Sequence, residues 1–378
     1  MTGPAVVVTG LGAVSALGGS VPDLWAGMLA ARQRPTPAPD DCGTTEWPVV
    51  YQTGPAPWSG TDRAGRPYGK ASGLAVDAAG QALTDATLGA DLRAVAGLAL
   101  GTTLGDIDLA ESGTDPAGGH FRLLGAVADV HGLGGPTATF STACSAGAYA
   151  VSWAAGMIAA GEADVMVVCG ADAYSRVATA ALDRFGLLDH GVCRPFDADR
   201  GGMVTGEGAG AVVLESAAHA AARGATAYAV LESSGWTCDA HHVTAPEPGG
   251  RQLRRAVAAA AGGAAGPIGA AVLHRAGIEV NDREEADALA DELGPVPAYG
   301  LKAVTGHTAG AAGVLACIAG VLVLRHGEVP PNAHVSTLDT GCRLPVPRSV
   351  PRPLAVPRVL VSTTGFGGNN AVLVLAAP

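Results

Sequence analysis

Short apolar runs alternate along this chain with alanine-rich stretches, and the alternation predicts its architecture. Residues 5–9 (Ala-Val-Val-Val-Thr) form a continuous apolar run closed by Gly10. Residues 95–100, 165–168 and 211–214 repeat the form. Such runs, without polar alternation, predict strands covered on both faces. Between them, residues 70–83 and 144–160 are Ala-rich and predict helices. The second half repeats the scheme, with strands predicted at 228–232, 270–273, 359–362 and 371–375. Helices are predicted there at 251–261, 283–293 and 306–325. Alternating strands and helices predict an α/β fold whose mixed or parallel sheets are covered by helices. Residues 31–67 are rich in Pro, Gly, Thr and Asp and predict a surface excursion, as do 246–250 and 345–357.

An internal echo runs through this pattern. Cys144 opens an apolar stretch that ends at Ala160-Gly161-Glu162, and His307 opens one that ends at His326-Gly327-Glu328. Two similar halves, each offering a helix start to a shared site, would produce it. The alternative is that Ala-rich buried helices all look alike.

Composition narrows the class. At 378 residues, 48% hydrophobic and 15% charged, the chain can bury a large core and is too apolar for disorder. Its 55 glycines follow no collagen period. The net charge of -11, with no basic stripe, argues against nucleic acid. Arg251, Arg254 and Arg255 are the candidates for a local basic patch. Seven dispersed cysteines without a CxxC pair argue against a disulfide framework or zinc site and fit a reducing cytoplasm. The N-terminus shows neither the charged nor the apolar region of a signal peptide. The apolar run 311–324 is shorter than a membrane span and predicts a buried helix.

Candidate chemistry lies in four places. Cys144, within Thr142-Ala143-Cys144-Ser145-Ala146-Gly147, follows a strand-like stretch (137–142) and precedes a helix, a position that favours thiolate. His274 ends a strand, where α/β folds place functional groups. His307 follows Thr305-Gly306, with Lys302 five residues earlier, and Asn281-Asp282 and Glu285 follow His274. A buried lysine and carboxylate there would hold the imidazoles in place. Gly365-Phe366-Gly367-Gly368 predicts a turn with backbone N–H groups facing a ligand, and an oxyanion suits it better than a nucleotide. The other eight histidines, His120 among them, read as surface or structural, with His241 and His242 the less settled.

With these segments in order, the chain resembles the β-ketoacyl-acyl carrier protein synthases of the condensing-enzyme superfamily, and within them the fatty-acid elongation and type II polyketide forms. The resemblance spans nearly the whole chain. It rests also on Val6 to Ser15, on Arg194-Pro195-Phe196-Asp197 through Gly206-Glu207-Gly208-Ala209-Gly210, and on Asp239 to Pro246. It implies a thiolase-like fold: two pseudo-symmetric halves (1–215 and 216–378) in five αβαβα layers, dimerising through strand 137–141. Partners would be acyl carrier protein and either a second copy or a ketosynthase-like chain-length factor. Metal and bound cofactor would be absent, and substrates would ride on phosphopantetheine.

The resemblance also implies roles. Cys144 would hold the acyl chain as a thioester, and His274 and His307 would bind the extender carbonyl and support decarboxylation. Lys302 would orient His307 or the polar network behind it. The N–H groups of Cys144 and Phe366 would form the oxyanion hole, with Gly365 and Gly367 shaping the gate. Thr305 and Thr364 are the expected substrate contacts; Arg275, which departs from the family, either binds the pantetheine arm and keeps His274 neutral, or points away and pairs with Glu279 or Asp282. Three departures stand out. The family's His-Gly-Thr-Gly-Thr is His274-Arg275-Ala276-Gly277-Ile278 here. A glutamate common nine positions after the second histidine is Ala316. A phenylalanine common two before Phe366 is Thr364. These changes leave two alternatives beside condensation: acyl transfer to an alcohol or amine, and a non-catalytic chain-length-factor-like partner.

Overall fold

The computed structural model describes residues 3–40, 42–115 and 121–378. Met1, Thr2 and His120, read above from sequence alone, lie outside the described residues. Ten strands build the main sheet: β1 (Val6–Ser15), β2 (Gly97–Gly101), β3 (Thr137–Phe140), β4 (Val165–Asp172), β5 (Gly208–Ser216), β6 (Ala229–Cys238), β7 (Ala270–Val272), β8 (Ala298–Tyr299), β9 (Arg358–Gly365) and β10 (Asn369–Ala376). Their spatial order is β8-β7-β9-β10-β6-β1-β5-β4-β2-β3. Read outward from the middle, the first five strands run 1-5-4-2-3 and the last five 6-10-9-7-8. Each set begins with two antiparallel pairings and ends with two parallel ones. The two sets are therefore copies of one topology, joined where β1 pairs with β6 from Val6 to Val8.

The helices around these strands include α1 (Lys70–Asp85), α2 (Phe121–His131), α3 (Ala146–Ala159), α4 (Arg176–Arg184), α5 (Arg251–Gly262), α6 (Glu279–Leu293) and α7 (Ala312–His326). α1 packs on β1, β5 and β4 and against α2. α5 packs on β6 and β10 and against α6. α3 and α7 lie between the two five-strand sets and touch each other. Three large buried apolar clusters fill this five-layer stack, one under each outer helix layer and one around the two central helices. β1, β4 and β5 are buried along their whole length, which explains their unbroken apolar sequence.

The central helices meet through glycine. A Cβ on Gly313 of α7 would lie 2.3 Å from the Ala148 nitrogen of α3, and one on Gly147 would lie 2.8 Å from the Gly310 carbonyl oxygen. Side chains there would force apart the two elements that carry the site. The apolar stretch Ala309–His326 is long and apolar enough to cross a membrane, but here it is packed between the two five-strand sets.

Three expectations shift. The predicted helix 306–325 starts at Ala312, after a 3-10 turn at Ala309–Ala311 that holds Ala309 at φ 46°. Residues 31–67 are not only a surface excursion. Val49–Tyr51 pairs with Thr205–Gly206, and buried Tyr51 donates to the Ala303 carbonyl. Two of the three arginines of α5 are offset by carboxylates, Arg251 by Glu247 and Arg254 by Asp291, while Arg255 donates to Gln252.

Candidate active site

Cys144 lies in the 3-10 turn Ala143–Ser145 that leads into α3. Ala143 takes a left-handed backbone at φ 52°, as Ala309 does before α7, so the two halves share one strained entry to their central helices. Gly365, at the end of β9, packs against this turn. A Cβ there would sit 2.8 Å from the Thr142 carbonyl oxygen. The corner that follows, Phe366–Gly368, brings the Phe366 N–H to the Cys144 sulfur, which also has its own N–H. Both donors favour negative charge at that point. The Gly367 N–H is spent on the Val243 carbonyl, so Gly367, at φ 81°, shapes the turn and is not an oxyanion donor.

The thiol is not acidic at rest. Burial pushes Cys144 up to about 11, with Asp172 adding to the rise, while Lys302 and the two N–H groups pull the other way. The helix-start expectation of a lowered value is thus outweighed by desolvation. Asp172 serves the scaffold: its carboxylate accepts from the N–H groups of Thr103, Leu104 and Gly310 and from the Thr102 hydroxyl.

His274 follows β7 on a loop fixed by two carboxylates. Glu285 accepts from the N–H groups of His274 and Arg275 at 2.8 and 3.0 Å. Asp282 accepts from Ala276 at 3.1 Å. These residues of α6 hold the backbone, not the imidazole. The ring is held by Lys302, whose Nζ lies 3.1 Å from Nδ1 and also donates to the His274 carbonyl oxygen. A neutral ring that accepts at Nδ1 carries its proton on Nε2, a tautomer assigned from this hydrogen bond.

His307 lies before α7 rather than in it. It is tied to Val204 and Gly206 through its backbone. Its Nδ1 is buried without a partner among the described residues, an unspent hydrogen-bonding position. The two rings stand edge to face, centroids 5.4 Å apart. Burial holds both imidazoles well below the usual histidine range, with Lys302 reinforcing the effect on each and His307 adding to it at His274. Both are neutral at pH 7.

Arg275 is the main correction. Its side chain is 1% exposed and turns away from the site. The guanidinium lies over the Phe196 ring at 4.5 Å, donates to the Pro195 carbonyl at 3.0 Å, and faces Asp282 at 3.8 Å. It turns away from a substrate arm, and burial, reinforced by Lys302 and not by Arg275, keeps His274 neutral. Thr305 is corrected too, because its buried hydroxyl donates to the Leu301 and Gly306 carbonyls. Thr364 and Gly365 border a narrow polar groove of about 30 Å³ that also includes Asp239, Asn281 and Glu284.

Cys144, His307 and Phe366 open onto a cavity of about 230 Å³. Leu104, Ala178, Leu182 and Met203 line it, with the exposed Phe185 at its edge. The sequence reading missed these residues, because α4 carries no motif and becomes a wall only through tertiary packing. A void of about 10 Å³ lies behind His274 and Lys302, bordered by Ala316 and Ser362. The Ser362 hydroxyl has no partner among the described residues. Among those residues no cluster of three His, Cys, Asp or Glu has the form of a metal site.

A cysteine at a central helix start, two neutral histidines and an apolar cavity match a known pattern, and comparison decides the family. Residues 4–220 match the model of the β-ketoacyl synthase N-terminal domain, and residues 228–336 that of the C-terminal domain. The chain belongs to the β-ketoacyl synthase family. Nodulation protein E of Rhizobium meliloti is 34% identical over 97% of this chain and 98% of its own. The ishigamide ketosynthase/chain length factor superposes with TM-score 0.91 at 32% identity, covering 100% of both chains. AntDE:AntF, a type II polyketide-synthase acyl-carrier protein in complex with its ketosynthase, superposes with TM-score 0.86 at 25% identity, again over 100% of both. The fold is that of the thiolase-like ketosynthases, and the family's enzymes are acyl-transferring condensing enzymes of polyketide and fatty-acid biosynthesis.

Proposed function

We propose that this β-ketoacyl synthase extends an acyl chain held on Cys144 by decarboxylative Claisen condensation with malonyl-acyl carrier protein. The observation that carries the reading is the placement of Cys144 between paired N–H donors and an apolar cavity, with His274 locked as an Nε2 donor. In the first half-reaction the Cys144 sulfur attacks an acyl thioester, and the thiol proton leaves on the pantetheine sulfur. In the second, the malonyl unit loses CO2. The electron pair of the broken C–C bond becomes an enolate, whose oxygen accepts hydrogen bonds from His274 and His307. The enolate carbon attacks the Cys144 thioester. The tetrahedral oxyanion collapses, expelling the cysteine thiolate and leaving a β-ketoacyl chain on the carrier.

Phosphopantetheine enters here as substrate. The partners we propose are acyl carrier protein and a second ketosynthase-like subunit paired through the edge strand β3, in the cytoplasm. We divide the chain at 215/216, at the last residue of β5 and ahead of β6, which opens the second five-strand set. A non-catalytic role fits poorly with an intact cysteine and both histidines, and the empty space at Ala316 is the one feature that favours acyl transfer without decarboxylation. The test is incubation with acyl- and malonyl-carrier, with mass spectrometry of both products. A Cys144 acyl adduct plus a β-ketoacyl-carrier supports condensation. An adduct without the condensed product turns the assignment to acyl transfer, and no adduct removes catalysis altogether.

A further inference from the structure

The two histidines of the site are not held alike. Lys302 donates to His274 Nδ1 at 3.1 Å, which leaves the proton of that neutral ring on Nε2. His307 Nδ1 is buried and has no partner among the described residues. The Thr205 hydroxyl oxygen is buried and equally without a partner among them. These two residues are neighbours by register. Thr205 and His307 form a parallel bridge, in which the His307 N–H donates to the Val204 carbonyl at 2.8 Å and the Gly206 N–H to the His307 carbonyl at 3.0 Å. Residues paired across parallel strands present their side chains on one face, with the backbones about 4.8 Å apart. On its other side Thr205 pairs with Val50, again in parallel. Its backbone is therefore fixed from both sides, and χ1 is the freedom it retains.

Resting on the condensing reading above, we propose that Thr205 is the positioning residue of His307: its hydroxyl donates to Nδ1 and makes Nε2–H the donor that faces the enolate oxygen. The reach suits this contact, because the hydroxyl is one bond from its Cβ and Nδ1 is the ring nitrogen nearer the backbone. Turning the hydroxyl toward the ring exchanges it with a methyl group of similar size, so the rotation needs no new volume. One hydrogen bond then satisfies two buried polar atoms, each of which otherwise carries a desolvation cost. The tautomer decides the chemistry. A ring protonated on Nδ1 would aim a lone pair at the enolate, while one protonated on Nε2 offers it a proton. The Thr205 donor is also neutral, so it sets the tautomer without placing a second positive charge beside Lys302.

The experiment reads the tautomer directly, by NMR of the full-length protein carrying nitrogen-labelled histidine, with the His307 signals assigned by their loss in His307→Asn. Wild type and Thr205→Ser should both show His307 protonated on Nε2. Thr205→Val keeps the shape of the side chain and removes the donor, and it should move His307 toward the Nδ1-protonated form. Condensation in Thr205→Val should fall about three- to tenfold, the range for one lost hydrogen bond, and further than single-turnover loading of Cys144. Thr205→Ser should restore most of that loss. An Nδ1-protonated His307 in the wild type would overturn the inference, as would an unchanged tautomer in Thr205→Val. A wild type that loads Cys144 but forms no β-ketoacyl product would remove the condensing reading instead, and the tautomer would still decide whether Thr205 holds His307.

Discussion

Lys302 spends its ammonium twice on His274, donating to Nδ1 at 3.1 Å and to the backbone carbonyl of the same residue. One side chain thereby fixes both the position and the tautomer of the imidazole. The sequence reading gave Lys302 to His307 or to the network behind it, and the structure gives it to His274. Lys302→Met should lower condensation about 100-fold, the range for a misplaced general acid or hydrogen-bond donor. Lys302 also holds the His274 pKa down, so its loss should move the acid limb of the pH–rate profile to higher pH. A rate loss with no movement of that limb would mean a packing role only.

Cys144→Ala should abolish loading and leave the fold intact, since a thiol replaced by hydrogen opens little space. His274→Ala and His307→Ala should retain loading better than condensation, because their donors serve the enolate. Single-turnover loading and steady-state condensation, run on the same preparations, separate the two. Equal losses in both would mean that a histidine is needed for the thiol proton, whose release burial makes hard.

Arg275→Ala should act on stability and not on substrate binding. The guanidinium is buried between Phe196 and Asp282. Removing it leaves Asp282 with less compensation in a site where burial has already pushed that carboxyl up to about 7. Breaking a buried pair costs about 3 kcal/mol, visible in chemical denaturation. KM for carrier-bound and for short thioesters should keep the same ratio. A selective rise for the carrier-bound donor would return Arg275 to the pantetheine arm.

Much of the architecture was legible because strands covered on both faces must be apolar throughout. The runs at β1, β4 and β5 announce themselves, and the echo between Cys144 and His307 reflects a true duplication of topology. The echo was offset, since Ala309 rather than His307 corresponds to Ala143 at the helix entry. The candidate residues Cys144, His274, His307 and Lys302 were legible from motif and order as a group that the fold brings together. Their electrostatics were not. Position at a helix start predicts an acidic thiol, whereas burial, a tertiary property, reverses it. Arg275 misled because adjacency in sequence says nothing of side-chain direction: His274 and Arg275 point to opposite sides of one loop. The cavity wall on α4 was invisible, as its alanines and leucines gain meaning only opposite Cys144.

The neutral histidines make stability depend on pH with a defined sign. His274 and His307 have folded pKa values well below 6.5, caused first by burial and then by Lys302. Below that value the unfolded chain binds protons that the folded chain refuses, so stability is present above pH 6.5 and is lost as pH falls. From pH 7 to pH 5 each ring accounts for up to about 2 kcal/mol of this loss. His131, His326 and His334 are also lowered, but they remain in both proteins when the wild type is compared with His274→Asn/His307→Asn. The double variant should therefore lose less stability than the wild type over that interval, by about 2–4 kcal/mol, in urea titrations at the two pH values. Identical losses would show that the folded protein already accepts protons at these rings, and the neutral-donor assignment on which the enolate step depends would fall with it.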